Sequence, residues 1–106
     1  MNNSVFTSVI TQYIEYKRNL GYKFQSATWY LKQIEALAVE LNIDILGISK
    51  ELSDAWCRKK DNEVESTRYL RISILAQFSS YLNDNGIRSY IPKLPVNIQP
   101  NVDKLV

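Results

Sequence analysis

All three prolines of this chain fall in one late stretch, SYIPKLPVNIQP, and ahead of it apolar residues recur at helical rather than strand spacing. Proline has no amide to donate and clashes with the preceding turn of a helix, so a long proline-free region with a period near 3.6 constrains the fold more than any other feature. No segment alternates with period two, which excludes a sheet built from half-buried strands. The expected fold is all-α, a compact four-helix bundle with an extended C-terminal tail.

Four segments carry the pattern. In SVFTSVITQYIEYKRNLG, Phe6, Val9, Ile10, Tyr13 and Ile14 share a face, Lys17 and Arg18 lie near the C-terminal end, and Gly21 is a stop signal. In QSATWYLKQIEALAVELN, Tyr30, Leu31, Ile34, Leu37, Ala38 and Leu41 form the stripe, with Ser26 or a neighbour as N-cap. A short helix in SKELSDAWCRKK turns Leu52, Ala55 and Trp56 inward. The fourth, STRYLRISILAQFSSYLNDNG, carries Leu70, Ile74, Leu75, Phe78, Tyr81 and Leu82, and closes at Asn85 and Gly86. Its start has two candidate caps: Asn62 with Glu65 fits a capping box, whereas Ser66 keeps Leu70 in the first buried turn and is preferred. Residues 1–88 then form the helical domain and 89–106 the tail.

Chemistry that needs converging reactive groups fits poorly. The chain has no histidine, a single cysteine (Cys57) and scattered acids, so it offers neither a metal site nor a nucleophile with its base. Glu35 and Glu40 read as solvated surface charges, and no glycine-rich phosphate loop is present. One cysteine excludes an internal disulfide and fits a reducing, cytoplasmic compartment. No apolar run approaches the roughly 20 residues needed to cross a bilayer, so no membrane partner is expected. The reading is of a chain without catalytic residues, metal or cofactor.

Charge carries a positive signal only locally. Thirteen basic and eleven acidic residues leave a net charge of +2, too little to announce a nucleic-acid partner by itself. Yet Lys17, Arg18, Lys23 and Lys32 follow one another with no acid between them, and Arg58, Lys59 and Lys60 precede Arg68 and Arg71. These groups sit at helix ends, where a bound phosphate is favoured at an N-terminus. Asp61, Glu63 and Glu65 oppose it.

The order of features adds more. The run LGYKFQSATWYLKQIEAL, then ISKELSDAW, ESTRYLRISILAQFSSYLNDNGI and YIPKLP resembles the core-binding, SAM-like N-terminal domain of tyrosine recombinases or phage integrases, over about Phe6 to Pro95. Thr67, Arg71, Ile72, Ser73, Phe78, Tyr81, Leu82 and Gly86 match that family's pattern best. Ala76 and Gln77 are neutral where the family often has another basic residue. The resemblance implies a helical module that clamps double-stranded DNA at a core recombination site, with its second and fourth helices at the major groove, during DNA integration or recombination. It places Ser26, Thr28 and Lys32 on the DNA side of the second helix and Thr67, Arg68 and Arg71 on that of the fourth. Together with Lys23, Arg58, Lys59 and Lys60 these are the candidate DNA contacts.

It further implies that the catalytic arginines, histidine and tyrosine belong to a separate C-terminal domain of the same parent chain, reached through the tail, and that other recombinase protomers share the DNA. The 106 residues then read as an excised or truncated module, with no room ahead of Phe6 for an arm-binding domain. Tyr13, Tyr30 and Tyr81 are core or core-edge residues, Trp56 is a core anchor and Cys57 an unreactive thiol. Trp29 either packs on a neighbouring helix or reaches a sugar–phosphate edge or a partner protomer. The competing reading is a helical protein-interaction or regulatory module that binds no DNA.

Overall fold

The computed structural model describes residues 5–95. Four helices, α1 (Thr7–Asn19), α2 (Gln25–Glu40), α3 (Lys50–Cys57) and α4 (Glu65–Asp84), enclose one core, and no strand occurs among the described residues. Residues 96–106, and with them most of the expected tail, lie outside the described residues.

Three helices end in the same way. Past α1, Gly21 (φ 103°) donates its amide to Arg18 and Tyr22 to Lys17; past α2, Asn42 (φ 59°) donates to Val39 and Ile43 to Ala38; past α4, Gly86 (φ 82°) donates to Asn83 and Ile87 to Leu82. This paired 6→1 and 5→2 pattern satisfies carbonyls that the helix leaves open, and it needs a left-handed residue at the turn. Ile43 and Ile87, the residues just beyond the second and third turns, fold back onto the core. The stop signals at Gly21 and Gly86 are therefore where the sequence places them.

The helix starts differ from expectation. Only α3 has a side-chain cap, Ser49 Oγ accepting from the Leu52 amide at 3.1 Å. Neither Ser26 nor Ser66 caps a helix: α2 starts at Gln25, after Phe24 in the left-handed region (φ 62°), two residues ahead of a start capped by Ser26, and α4 starts at Glu65 after an extended Val64. Phe24 is held by its ring, edge-on to Tyr13 at 5.5 Å, so tertiary packing rather than capping chemistry fixes that turn. No Asn62–Glu65 capping box forms, because Glu65 is itself the first residue of α4.

The core is formed by Phe6 just ahead of α1, Ile10 and Tyr13 of α1, Leu31, Ile34 and Ala38 of α2, Leu52 and Trp56 of α3, and Leu75, Phe78 and Leu82 of α4. Ala55 is only half-buried and Ser53 is buried in its place, which rotates α3 slightly from the expected face. Tyr13 is central. Its ring lies 5.1 Å from Phe78 and 4.6 Å from Tyr81, and burial, with Tyr16 and Tyr81 adding to it, pushes its phenol up to about 12. Through Tyr13 the start of α2 meets the second half of α4. The middle of α2 meets the first half of α4 through Tyr30 and Trp56, so the two helices run antiparallel.

The chain beyond α4 stays on the bundle as far as it is described. Tyr90 donates its amide to the Ile48 carbonyl at 2.8 Å, Ser89 Oγ accepts from the Ile48 amide at 3.0 Å, and the Asn83 side chain takes both backbone groups of Ser89. Gly47 (φ 126°) makes this approach possible: a Cβ there would stand 2.5 Å from the Arg88 carbonyl oxygen.

Candidate nucleic-acid interface

The two arginines of α4 are the first test of the expected interface, and the structure turns them inward. Arg71 is 2% exposed. Its Nε donates to Glu63 Oε2 at 2.6 Å and its Nη2 to Glu63 Oε1 at 3.0 Å; Nη1 donates to the Trp56 carbonyl and Nη2 also to the Arg58 carbonyl at 3.1 Å. Arg68 donates from Nε to the Cys57 carbonyl at 3.1 Å. Helix α3 leaves its last carbonyls unpaired, since the backbone runs off extended at Arg58, and the arginines of the next helix satisfy three consecutive ones. Their shared role is to close the end of α3 and pin it to α4.

This corrects the expectation that Arg71 faces DNA. Its guanidinium donates four hydrogen bonds within the protein, and its Cζ lies 5.0 Å from the centre of the Trp56 ring, whose Nε1 donates back to the Arg71 carbonyl at 2.9 Å. The buried carboxylate of Glu63 is held down to about 2, chiefly by the hydrogen bonds from Arg71; burial opposes this, and the Lys60 amide assists. The position was legible in a different phase of the helix. Counting back from Leu82 through Phe78 and Leu75, the stripe reaches Arg71, whereas Leu70 is 45% exposed.

The other candidates around α3 and α4 divide. Lys59 pairs with Glu65 at 3.1 Å, Arg68 lies 3.9 Å from the same carboxylate, and Thr67 is half-buried. Glu63 and Glu65 are thus matched within the protein. Lys60 holds its ammonium 5.8 Å from the Trp56 ring, and Arg58 is exposed with no ion pair among the described residues.

The α1–α2 group is more open. Lys23, Ser26 and Lys32 are exposed, and neither lysine makes an ion pair among the described residues. Arg18 donates from Nε to the Lys23 carbonyl at 3.4 Å, and Lys17 lies 5.3 Å from the Tyr22 ring. Thr28 turns toward α1 and ties its hydroxyl to the Phe24 carbonyl at 2.5 Å, so it is not on the outer face. Glu35 is not a solvated charge either: it is half-buried and accepts from the Thr7 hydroxyl.

Over residues 25–36 of α2 the outward residues are Gln25, Ser26, Trp29, Lys32, Gln33 and Ala36, a strip spanning roughly 16 Å at 1.5 Å per residue, and Val39 and Glu40 are exposed beyond it. At its far end Gln33 and Ala36 share a crevice with Lys60 and the exposed Glu40. The strip thus runs from Lys23 at one end to Lys60 and Glu40 at the other, and its exposed residues from 25 to 36 include no acid. Antiparallel packing separates the start of α2 from the start of α4, so Ser26 and Thr67 do not converge on one spot.

Burial pushes the half-buried Cys57 thiol up, with Ser53, Arg71 and Arg68 opposing, which keeps it protonated and a poor nucleophile. No group of acids or cysteines among the described residues is arranged to hold a metal, and no described helix is long and apolar enough to cross a membrane. The chain matches no protein-family model, and comparison with curated proteins and with solved structures likewise gave no match.

Proposed function

We propose that this chain is a DNA-binding module of a site-specific tyrosine recombinase, grasping duplex DNA at the core recombination site through the outer face of α2 and the α1–α2 turn. The observation that carries the reading is the acid-free stretch from Lys17 to Lys32, whose Lys23 and Lys32 are exposed and form no ion pair among the described residues. The all-α bundle fits the implied domain class, and the major groove admits a helix of this kind. Lys23, Ser26 and Lys32, with Arg58 and Lys60 at the far end of the strip, are the contacts. Arg71 has no part in them, and Arg68 serves mainly α3. Catalysis is assigned to a separate domain of the parent chain, and other protomers on the same DNA complete the assembly.

The test is a titration of labelled duplex DNA across a range of salt. Phosphate contacts release counterions, so affinity should fall steeply with salt, and Lys23→Ala and Lys32→Ala should each reduce the log–log slope by about one. Binding that is absent at low salt or indifferent to salt refutes the reading.

One observation favours a protein-interaction module instead. Beside the Ile48–Tyr90 contact lies a cavity of about 600 Å³, rimmed by the exposed Ile45 (75%), Leu46 and Tyr90. Retention of a protein partner by the parent but not by Ile45→Asp, without DNA binding, would select that reading.

A further inference from the structure

Trp29 is 59% exposed, while the other tryptophan, Trp56, is 4% exposed. An indole in water forgoes a large burial gain, and nothing in the packing of α2 requires it there. It is nevertheless held. Its ring meets Tyr30 edge-on at 5.0 Å and 79°, Tyr30 in turn meets Trp56 at 6.4 Å and 81°, and Trp56 is fixed by Arg71. The three rings form a row from solvent to core, so the outermost has less freedom to lose on binding than an isolated surface side chain.

The surroundings state what it meets. On the outer strip Trp29 has Gln25 and Ser26 on one side and Lys32 and Gln33 on the other, one helical turn away in each direction, with Lys23 beyond. All are neutral or cationic, so the complementary surface is polyanionic. We propose that the Trp29 indole packs against the deoxyribose face of the DNA backbone between phosphates held by Lys23 and Lys32, a non-ionic contact that positions α2 on the duplex. The inference rests on the DNA-binding reading above and names a residue within that interface.

Two measurements separate them. In the salt titration, Trp29→Ala should weaken duplex binding about tenfold at every salt concentration, which is about 1.4 kcal/mol, and leave the salt slope unchanged, whereas the lysine variants change the slope. Trp29→Phe should recover part of the loss. Because the side chain is exposed, Trp29→Ala should melt with the parent. Independently of any variant, duplex DNA should shield the accessible fraction of the parent's tryptophan emission from acrylamide, since Trp29 supplies that fraction. If the parent binds DNA with the expected salt slope but Trp29→Ala binds equally well and emission stays unshielded, this inference falls and the DNA-binding reading stands. A Trp29→Ala variant that alters the slope, or that abolishes self-association of the parent without affecting DNA, also overturns it. A parent that shows no salt-dependent binding removes both.

Discussion

Replacing Arg71 with leucine tests the account of α4 most directly. The substitution puts an apolar side chain on the stripe that continues through Leu75, Phe78 and Leu82, but it removes four donated hydrogen bonds and the ion-pair partner of a Glu63 carboxylate whose side chain is 6% exposed. Leaving a buried charge without its partner costs about 3–5 kcal/mol. Two carbonyls at the end of α3 also lose a donor, although water can reach the exposed Arg58. Against a total stability of about 5–15 kcal/mol this is a large fraction, and for a domain of this size it corresponds to a fall in Tm on the order of 15–30 °C. Urea unfolding followed by circular dichroism measures it. Pairing Arg71→Leu with Glu63→Gln should cost less than the two single changes combined, because the second change removes the stranded charge. By contrast Arg68→Ala, which loses one hydrogen bond from a partly exposed side chain, should cost about 1 kcal/mol. The reasoning is refuted if Arg71→Leu unfolds within about 1 kcal/mol of the parent while Arg68→Ala costs more.

The same ion pair predicts an acid dependence. The Glu63 carboxyl is lower in the folded chain, about 2, than its ordinary 4.5, so its stabilisation is complete above that ordinary value and is lost as pH falls toward 2; melting from pH 6 to pH 2 should show a steeper acid loss in the parent than in Glu63→Gln. Gly47→Ala places a Cβ against the Arg88 carbonyl at a left-handed φ and should cost about 1–3 kcal/mol, while hydrogen exchange at the Tyr90 amide speeds up. Ser79→Ala should be neutral or stabilising by up to about 1 kcal/mol in urea unfolding, since its fully buried hydroxyl has no hydrogen-bond partner among the described residues.

Much of the bundle is determined by the sequence alone, because helix formation depends on local spacing and local terminators. The period of the apolar residues locates all four helices, and Gly21 and Gly86 mark two ends, since glycine takes up the left-handed turn at little cost. Helix starts were less legible. At α2 and α4 they are set beside contacts between distant residues, the Phe24 ring on Tyr13 and the Glu63 carboxylate on Arg71, rather than by a capping side chain such as Ser49 supplies to α3. The α4 arginines show the same division. A sequence gives the spacing of Arg71 but not the open end of α3 that lies against it, and a cation on a stripe reads as surface until a carboxylate and two carbonyls are brought around it. Conversely, the basic stretch from Lys17 to Lys32 is visible in the sequence, but only the tertiary structure shows that Lys23 and Lys32 form no ion pair among the described residues while Lys59, Arg68 and Arg71 are matched by Glu63 and Glu65. Charge is a property of residues; whether a charge remains available to a partner is decided by what the fold places next to it.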